Sequence, residues 1–329
     1  MKLPYLRIAK PALLIAFCFG IFFFCPGSLR SQQTAQARSF RLEALTPQFH
    51  KLIDPDAQLL TVSTGFGFTE GPVWDKQDFL WVSDEVQNKI YKVFPDGRKV
   101  PVISLGDPDG NTYDQNDRLI DCASVLRAII RLSPDGSTYT ILADRYQGKR
   151  FNSPNDVVPG PDHAFYFTDP TLDLPKGQQQ ELPFQGVFRL DAGGHVTLLA
   201  HDQVQPNGLA FSPDGKRFYV DDSQTMDIWV YTFADGKISN GHIFGRETGE
   251  PGSGVPDGMK LDRRGNLFVV GPGGIWVWTS KGVHIGTILL PQQPANLTWG
   301  GPDHSVLYIT ATHSVYKLQT KTRGFTPYR

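Results

Sequence analysis

A short unit of apolar and polar positions recurs along this chain, and its clearest copy lies near the middle. Asn155 and Asp156 precede the apolar pair at 157–158, a Gly-Pro-Asp-His turn follows at 160–163, and a second apolar run covers 165–169. Short apolar runs bounded by Gly, Pro, Asn and Asp are typical of β-strands joined by tight turns. The unit therefore predicts a β-hairpin with a carboxamide and a carboxylate at the start of its first strand.

The same unit returns at a regular interval, each time with one polar residue at the start of the first strand. Successive copies are separated by 39 to 52 residues, which is the period of propeller blades rather than of helical solenoids. The polar residues are Glu70, Asn111, Asn155, Asn207, Asp257 and Asn296, and the copies at Asn111 and Asn296 are the weakest.

Two further strand signals follow each unit, usually separated by an Asp-Gly or Gly-Gly turn. These dipeptides accept positive φ at little cost and are strong hairpin signals between apolar runs. Four strands in each of six copies predict an all-β fold, a six-bladed β-propeller of antiparallel strands over residues 58–329. We expect the strand at 59–63 to complete the last blade, because a closed ring leaves only short, protected edges.

The first 37 residues have the pattern of an export signal. Basic residues precede an apolar stretch over 12–24, and Ala35-Gln36-Ala37 matches a cleavage site. The stretch is shorter than the roughly 20 residues that span a bilayer. The sequence therefore predicts a signal peptide over 1–37, an extended lead-in over 38–57, and a periplasmic or secreted protein.

An uncleaved membrane anchor is the alternative for the same segment, and only in that case would the protein contact a membrane. Cys25 raises a lipoprotein interpretation, but the three phenylalanines before it match lipoprotein processing poorly. Once the segment is removed, Cys122 is the remaining cysteine, so no internal disulfide forms. We interpret Cys122 as a buried strand thiol rather than a nucleophile.

The overall charge excludes one class of partner. The formal net charge is −1 over 329 residues, so the chain lacks the basic surface with which proteins bind nucleic acid. With 40% hydrophobic residues the chain has enough apolar side chains for a large core.

The polar residues at the strand starts are candidates for a metal site, because the first strands of a propeller line its central channel. Glu70, Asn155, Asn207 and Asp257 supply carboxylate and amide oxygens without a thiolate or imidazole. Such oxygens suit Ca²⁺, Mg²⁺ or Mn²⁺ better than structural zinc, although another divalent ion could bind.

A structural interpretation competes with this one, since Asn-Gly and Asp-Gly are common turn dipeptides. Glu70, however, has no particular value in a turn, and the shared position in each blade favours a site. We interpret Asn111 and Asn296 as structural.

Several of these segments, in this order and approximate spacing, resemble the SMP-30/gluconolactonase family of regucalcin-like six-bladed propellers. The resemblance covers roughly residues 58–318. The motifs that carry it are Phe68–Trp74, Arg150–Val158, Phe167–Pro170, Pro206–Ser212 and Pro256–Met259.

The resemblance implies a lactonase that hydrolyses a sugar lactone with one divalent ion, Ca²⁺ first and Zn²⁺, Mg²⁺ or Mn²⁺ as alternatives. It implies Glu70, Asn207 and Asp257 as metal ligands, with Asp257 also the general base. Asn155 matches a residue that contacts substrate or metal, and Arg150 matches a substrate-binding arginine.

One stretch departs from the family pattern. Many bacterial members carry Cys-Glu-His after the second blade's inner strands, whereas this chain has Asp121-Cys122-Ala123-Ser124-Val125. If that histidine shapes the substrate pocket, the substrate of this chain differs.

Other functions remain open on the sequence. A related arylesterase or phosphotriesterase would use the same oxygen-ligated ion on a different electrophile. A strictosidine-synthase-like propeller would not need the set of Glu70, Asn207 and Asp257. A non-catalytic propeller that binds a sugar or a protein would keep the ion only for rigidity.

Overall fold

The computed structural model describes residues 38–326 of the chain. The signal peptide predicted over 1–37 lies outside the described residues and stays a prediction. Within 38–326 the only helix is a single 3-10 turn at Phe49–Lys51, and no helix there is long and apolar enough to cross a bilayer.

The described chain forms six antiparallel sheets, five with four strands and one with five, and one small hairpin. The strands that precede blade 1 are β1 (Arg41–Ala44) and β2 (Leu59–Thr64). Blade 1 contains β3 (Thr69–Asp75), β4 (Phe79–Asp84), β5 (Lys89–Val93) and β6 (Lys99–Ser104). Blade 2 contains β7 (Pro108–Tyr113), β8 (Leu119–Ala123), β9 (Ala128–Leu132) and β10 (Tyr139–Ala143). The hairpin is β11 (Arg145–Tyr146) and β12 (Lys149–Arg150).

The remaining blades repeat this order. Blade 3 contains β13 (Val157–Pro159), β14 (Phe165–Asp169), β15 (Gly186–Leu190) and β16 (Val196–Ala200). Blade 4 contains β17 (Pro206–Phe211), β18 (Arg217–Asp222), β19 (Asp227–Ala234) and β20 (Lys237–Arg246). Blade 5 contains β21 (Met259–Leu261), β22 (Leu267–Gly271), β23 (Gly274–Trp278) and β24 (His284–Leu289). Blade 6 contains β25 (Pro294–Gly300), β26 (Val306–Ala311) and β27 (Ser314–Gln319), with β2 as its fourth strand. The predicted six-bladed β-propeller is confirmed.

The apolar core lies between neighbouring blades rather than inside one sheet. Every residue of β4 is buried, whereas the outer strand β20 is exposed at seven of its ten positions. One cluster joins Phe79 and Trp81 of blade 1 to Leu119 and Ile130 of blade 2. Burial on both faces explains why the middle strands are continuous apolar runs without alternation.

The N-terminal strand closes the ring as predicted. Strand β2 pairs with β27 from Leu59 opposite Leu318 to Thr64 opposite Ser314. The first and last parts of the propeller are thereby held in one sheet, which removes an open edge.

The predicted lead-in over 38–57 contains structure that the sequence pattern does not indicate. Strand β1 pairs with β24 and makes blade 5 five-stranded. The turn that follows buries Phe49, Leu52 and Ile53 against blades 5 and 6. These contacts attach the segment to the propeller along two blades.

Candidate metal and substrate site

The inner strands begin with a recurring irregularity that defines one position in each blade. In blades 2, 4 and 6, Pro108, Pro206 and Pro294 pair with the end of the second strand and a β-bulge follows. In blade 1 the same pair is made by Thr69, and the bulge follows Glu70. We call the residue after each pair the ring position, and in blades 3 and 5 the corresponding residue is the one whose backbone N–H donates to the carbonyl oxygen of Thr168 or Val270. The ring positions of blades 1 to 6 are Glu70, Asp109, Asn155, Asn207, Asp257 and Ala295.

Two of the six polar residues predicted at the strand starts are not at the ring position. Asn111 lies further along its strand, where Nδ2 donates to the carbonyl oxygen of Gly71 at 2.9 Å and to Ser83 Oγ at 2.7 Å. Asn296 follows the ring position, and its Nδ2 donates to Glu70 Oε2 at 2.9 Å. Both amides make structural contacts across blade boundaries, as interpreted from the sequence.

Asp109 is the ring residue that the sequence reasoning missed. The signal was present, because Pro108-Asp109-Gly110 repeats Pro256-Asp257-Gly258. The apolar pattern selects Asn111 as the polar residue of blade 2, two residues after the ring position. A β-bulge shifts the pairing by an amount that periodicity does not reveal.

Ring positions of adjacent blades approach each other closely through their backbones. A Cβ atom on Gly208 would lie 2.0 Å from the carbonyl oxygen of Asp257, and one on Gly71 would lie 2.1 Å from that of Asp109. No side chain fits at such distances, so glycine is required after these ring residues.

Glu70 carries a carboxylate oxygen that has no hydrogen-bond donor. Its side chain is 3% exposed, Oε2 accepts from Asn296 Nδ2 and from the Gly71 amide, and Oε1 is buried without a partner. Burial raises the Glu70 pKa to about 7, and the charge of Asp156 adds to the rise. A buried, unpartnered carboxylate oxygen is a chemical fit for a cation ligand.

Asn207 and Asp257 occupy neighbouring ring positions. Asn207 Nδ2 donates to Ser223 Oγ at 3.2 Å. Burial raises the pKa of Asp257 well above its usual range, the charge of Glu70 adds to the rise, and the nearby Asn207 amide opposes it. Because the contact with Ser223 uses the amide nitrogen, Oδ1 of Asn207 is left for a ligand.

Asn155, at the ring position of blade 3, also uses its amide nitrogen in a hydrogen bond. Its side-chain Nδ2 donates to Asp109 Oδ2 at 2.8 Å, and its backbone N–H donates to the Thr168 carbonyl oxygen. Asp156 supports the loop, since its Oδ1 accepts from the Val157 amide at 2.9 Å.

The ring contains one more carboxyl group than the sequence analysis predicts, that of Asp109. Burial raises the Asp109 pKa well above its usual range, and the charges of Glu85, Glu70, Asp173 and Asp257 raise it further. Mutual repulsion of this kind is relieved by a bound cation. Within residues 38–326 no three His, Cys, Asp or Glu side chains are grouped to hold a metal, so an ion here would also require the amide oxygens.

Lys260 lies in the channel close to these carboxylates. Its charge lowers the pKa of both Glu70 and Asp156, and its Nζ lies 3.4 Å from Asn296 Oδ1. A small cavity of about 70 Å³ next to it is lined by inner strands and by Phe325.

Arg150 lies on the short hairpin between blades 2 and 3. Its guanidinium donates to the Leu126 carbonyl oxygen at 2.6 Å, while Nε is buried without a partner. Its contact with a substrate stays a prediction. Cys122 is fully buried in β8, and burial raises the pKa of its thiol well above the usual range, as expected for an unreactive cysteine.

Comparisons with known proteins agree with this architecture. The sequence profile of the SMP-30/Gluconolactonase/LRE-like region matches residues 68–313. A gluconolactonase from Zymomonas mobilis is 32% identical over 310 residues, covering 86% of this chain and 87% of the relative. A pentonolactonase from Haloferax volcanii is 27% identical over 261 residues, covering 76% and 83%.

Solved structures give the same result. A gluconolactonase from Xanthomonas campestris matches with a TM-score of 0.78 at 30% identity, covering 87% of this chain and 99% of the other. Regucalcin from Agrobacterium tumefaciens, described as a calcium-binding protein, matches with a TM-score of 0.71 at 20% identity, covering 83% and 98%, and supports the fold alone. The chain belongs to the SMP-30/gluconolactonase/LRE-like family.

Proposed function

We propose that this protein is a lactonase that hydrolyses a sugar lactone at the ring with the help of one divalent ion. The observation that carries the proposal is that side-chain oxygen atoms at the ring positions are left for a ligand. Glu70 Oε1 is buried without a partner, and the amide nitrogens of Asn155 and Asn207 are both used in hydrogen bonds. Relatives named gluconolactonase and pentonolactonase support a sugar lactone as substrate.

Glu70, Asn155, Asn207 and Asp257 would hold the ion. A divalent ion at this position would supply Lewis-acid polarisation of the lactone carbonyl. We propose Ca²⁺, because the set contains only oxygen donors. Zn²⁺, Mg²⁺ and Mn²⁺ are the alternatives that a metal analysis of the purified protein distinguishes.

Asp257 is the proposed general base. The nearby Asn207 amide lowers the Asp257 pKa against the effect of burial, and Asp257 would accept a proton from the water that attacks the lactone carbonyl. Asn155 would hold the lactone or the ion through Oδ1. Arg150 would donate to substrate hydroxyl groups from the hairpin β11–β12.

The function is tested by a pH-indicator assay against a panel of sugar lactones, with and without EDTA. The proposal expects acidification that EDTA abolishes and added Ca²⁺ restores. Turnover of aryl esters or phosphotriesters but not of lactones would identify a related esterase. An ion-dependent melting temperature without turnover on any of these substrates would identify a non-catalytic propeller.

We further propose that the protein is exported. The basis is the pattern of residues 1–37, and the check is N-terminal sequencing of the protein recovered from the periplasm or medium. A mature N-terminus close to residue 38 supports cleavage, and an intact N-terminus in the membrane fraction contradicts it.

A further inference from the structure

The side chain of Asp109 contacts Asn155 of the next blade. Asp109 Oδ2 accepts a hydrogen bond from Asn155 Nδ2 at 2.8 Å. The two residues are 2% and 7% exposed. The main chains add a parallel contact, since the Gly110 amide donates to the Asn155 carbonyl oxygen at 2.8 Å. Two hydrogen bonds thus join ring positions 2 and 3.

Ser124 contacts both Asp109 and Pro154, the residue before Asn155. Its hydroxyl oxygen lies 3.3 Å from Asp109 Oδ2 and 2.7 Å from the carbonyl oxygen of Pro154. Ser124 is 0% exposed and belongs to the stretch in which the chain departs from Cys-Glu-His. The Asp109 carboxylate is therefore fixed between a hydroxyl and an amide.

The contact determines which end of the Asn155 carboxamide is available. A carboxamide has one acceptor end and one donor end, and the assignment of the two follows from the hydrogen-bond network. Asp109 Oδ2 is the acceptor of the Asn155 Nδ2 hydrogen bond, so Asp109 takes the NH₂ end of Asn155. The oxygen Oδ1 then points away from Asp109.

We propose that Asp109 is a positioning residue that fixes the Asn155 carboxamide with Oδ1 facing the ring, where it binds the ion or the lactone. The inference rests on the proposed function of the ring. Asn207 shows the same principle in blade 4, where its NH₂ group donates to Ser223 Oγ at 3.2 Å.

Two substitutions separate the hydrogen bond from the charge. D109N keeps an acceptor oxygen for Asn155 and removes the charge, whereas D109A removes both. We expect D109A to lower kcat/KM and Ca²⁺ affinity roughly 10-fold, the change that corresponds to loss of one buried hydrogen bond. We expect D109N to stay within about threefold of the parent protein, which would show rescue by the acceptor.

A double-mutant cycle with N155A provides the test. Once Asn155 is absent, D109A has no carboxamide to position and should add less than about twofold. D262N is the matched control, because Asp262 is a fully buried carboxylate that bonds to Asn266 and Thr322 rather than to the ring, and its effect should add to that of N155A. Ca²⁺ titration calorimetry and lactone kinetics are measured for each protein, with crystal structures of the parent, D109N and D109A.

The outcomes separate this inference from the proposed function. An additive cycle, equal impairment in D109N and D109A, or an unchanged Asn155 rotamer in D109A would overturn the positioning role. A parent protein that hydrolyses no lactone would overturn the function. In that event the calorimetric cycle and the Asn155 rotamer in the crystal structures still decide whether Asp109 orients Asn155.

Discussion

At the scale of single residues, Glu70 and Asp257 carry the most specific chemistry of the ring. We expect Glu70→Ala and Asp257→Ala to lower lactone kcat/KM by roughly 100-fold or more, because each removes a proposed ion ligand. The fold should survive, since neither change removes apolar packing. Ca²⁺ should raise the melting temperature of the parent protein but not of Glu70→Ala, as linkage requires.

The exposed Asp202→Ala is the control for these variants. It should match the parent protein in both turnover and the Ca²⁺-dependent shift. Near-normal turnover in Glu70→Ala or Asp257→Ala would remove that residue from the mechanism.

Asp169 gives a pH prediction away from the proposed ligands. It is buried, its Oδ2 accepts from the Asn152 amide at 2.9 Å, and burial raises its pKa to about 8. The folded state therefore keeps the proton to higher pH than the unfolded state. The Asp169 contribution to stability is present below the unfolded pKa of about 4 and is lost as pH rises towards the folded value.

We expect Asp169→Asn to flatten this dependence. Between pH 5 and 7 the parent protein should lose about 1 kcal/mol per pH unit relative to the variant, measured by urea unfolding at each pH. Asp96→Asn, an exposed turn substitution, should keep the parental slope. Parallel curves for Asp169→Asn and the parent would contradict the assignment.

At the scale of strands and turns, β-bulges accompany the ring residues at the start of the inner strands of blades 1, 2, 4 and 6. The sequence pattern predicts the strands because short apolar runs and turn dipeptides are local features. It aligned blade 2 on Asn111 rather than Asp109, because the bulge breaks the period where the ring residue lies. Strand β1 was missed for a different reason, since its polar residues are exposed.

Substitution of a glycine that follows a ring residue tests the close backbone approach between neighbouring blades. Gly208→Ala would place Cβ 2.0 Å from the Asp257 carbonyl oxygen, so we expect a loss of about 1–3 kcal/mol in unfolding free energy and weaker ion binding. Gly193→Ala is the control, because the nearest atom to its Cβ would be 3.3 Å away. Chemical denaturation and Ca²⁺ titration measure both, and parental behaviour of Gly208→Ala would contradict the close approach.

Closure by β2 makes a separate prediction. A chain that starts at residue 58 loses the buried Phe49, Leu52 and Ile53 but keeps β2, and we expect it to unfold cooperatively at a lower temperature. A chain that starts at residue 66 exposes the edge of β27 and should aggregate. Calorimetry and light scattering distinguish them, and equal behaviour would show that closure is dispensable.

At the scale of the whole molecule, the fold and family follow from repeated local patterns, whereas the site depends on contacts between blades. The ring brings together residues from 70 to 257, and only the three-dimensional arrangement shows that Asp109 faces Asn155 or that Glu70 contacts Asn296. Side-chain orientation at a bulge and contacts across blade boundaries are not encoded in the apolar pattern. For this reason the candidate ligands were predicted as residue types, and their hydrogen-bond partners were not.

The account depends on one claim, that an ion held by the ring is needed for lactone hydrolysis. The most direct measurement is the lactone hydrolysis rate of EDTA-treated protein as Ca²⁺ is added back, in the parent and in Glu70→Ala. The account predicts activity that rises to saturation with about one bound ion per chain, as expected for a single site, and little recovery in Glu70→Ala. Full activity in EDTA, or equal recovery in Glu70→Ala, would contradict it.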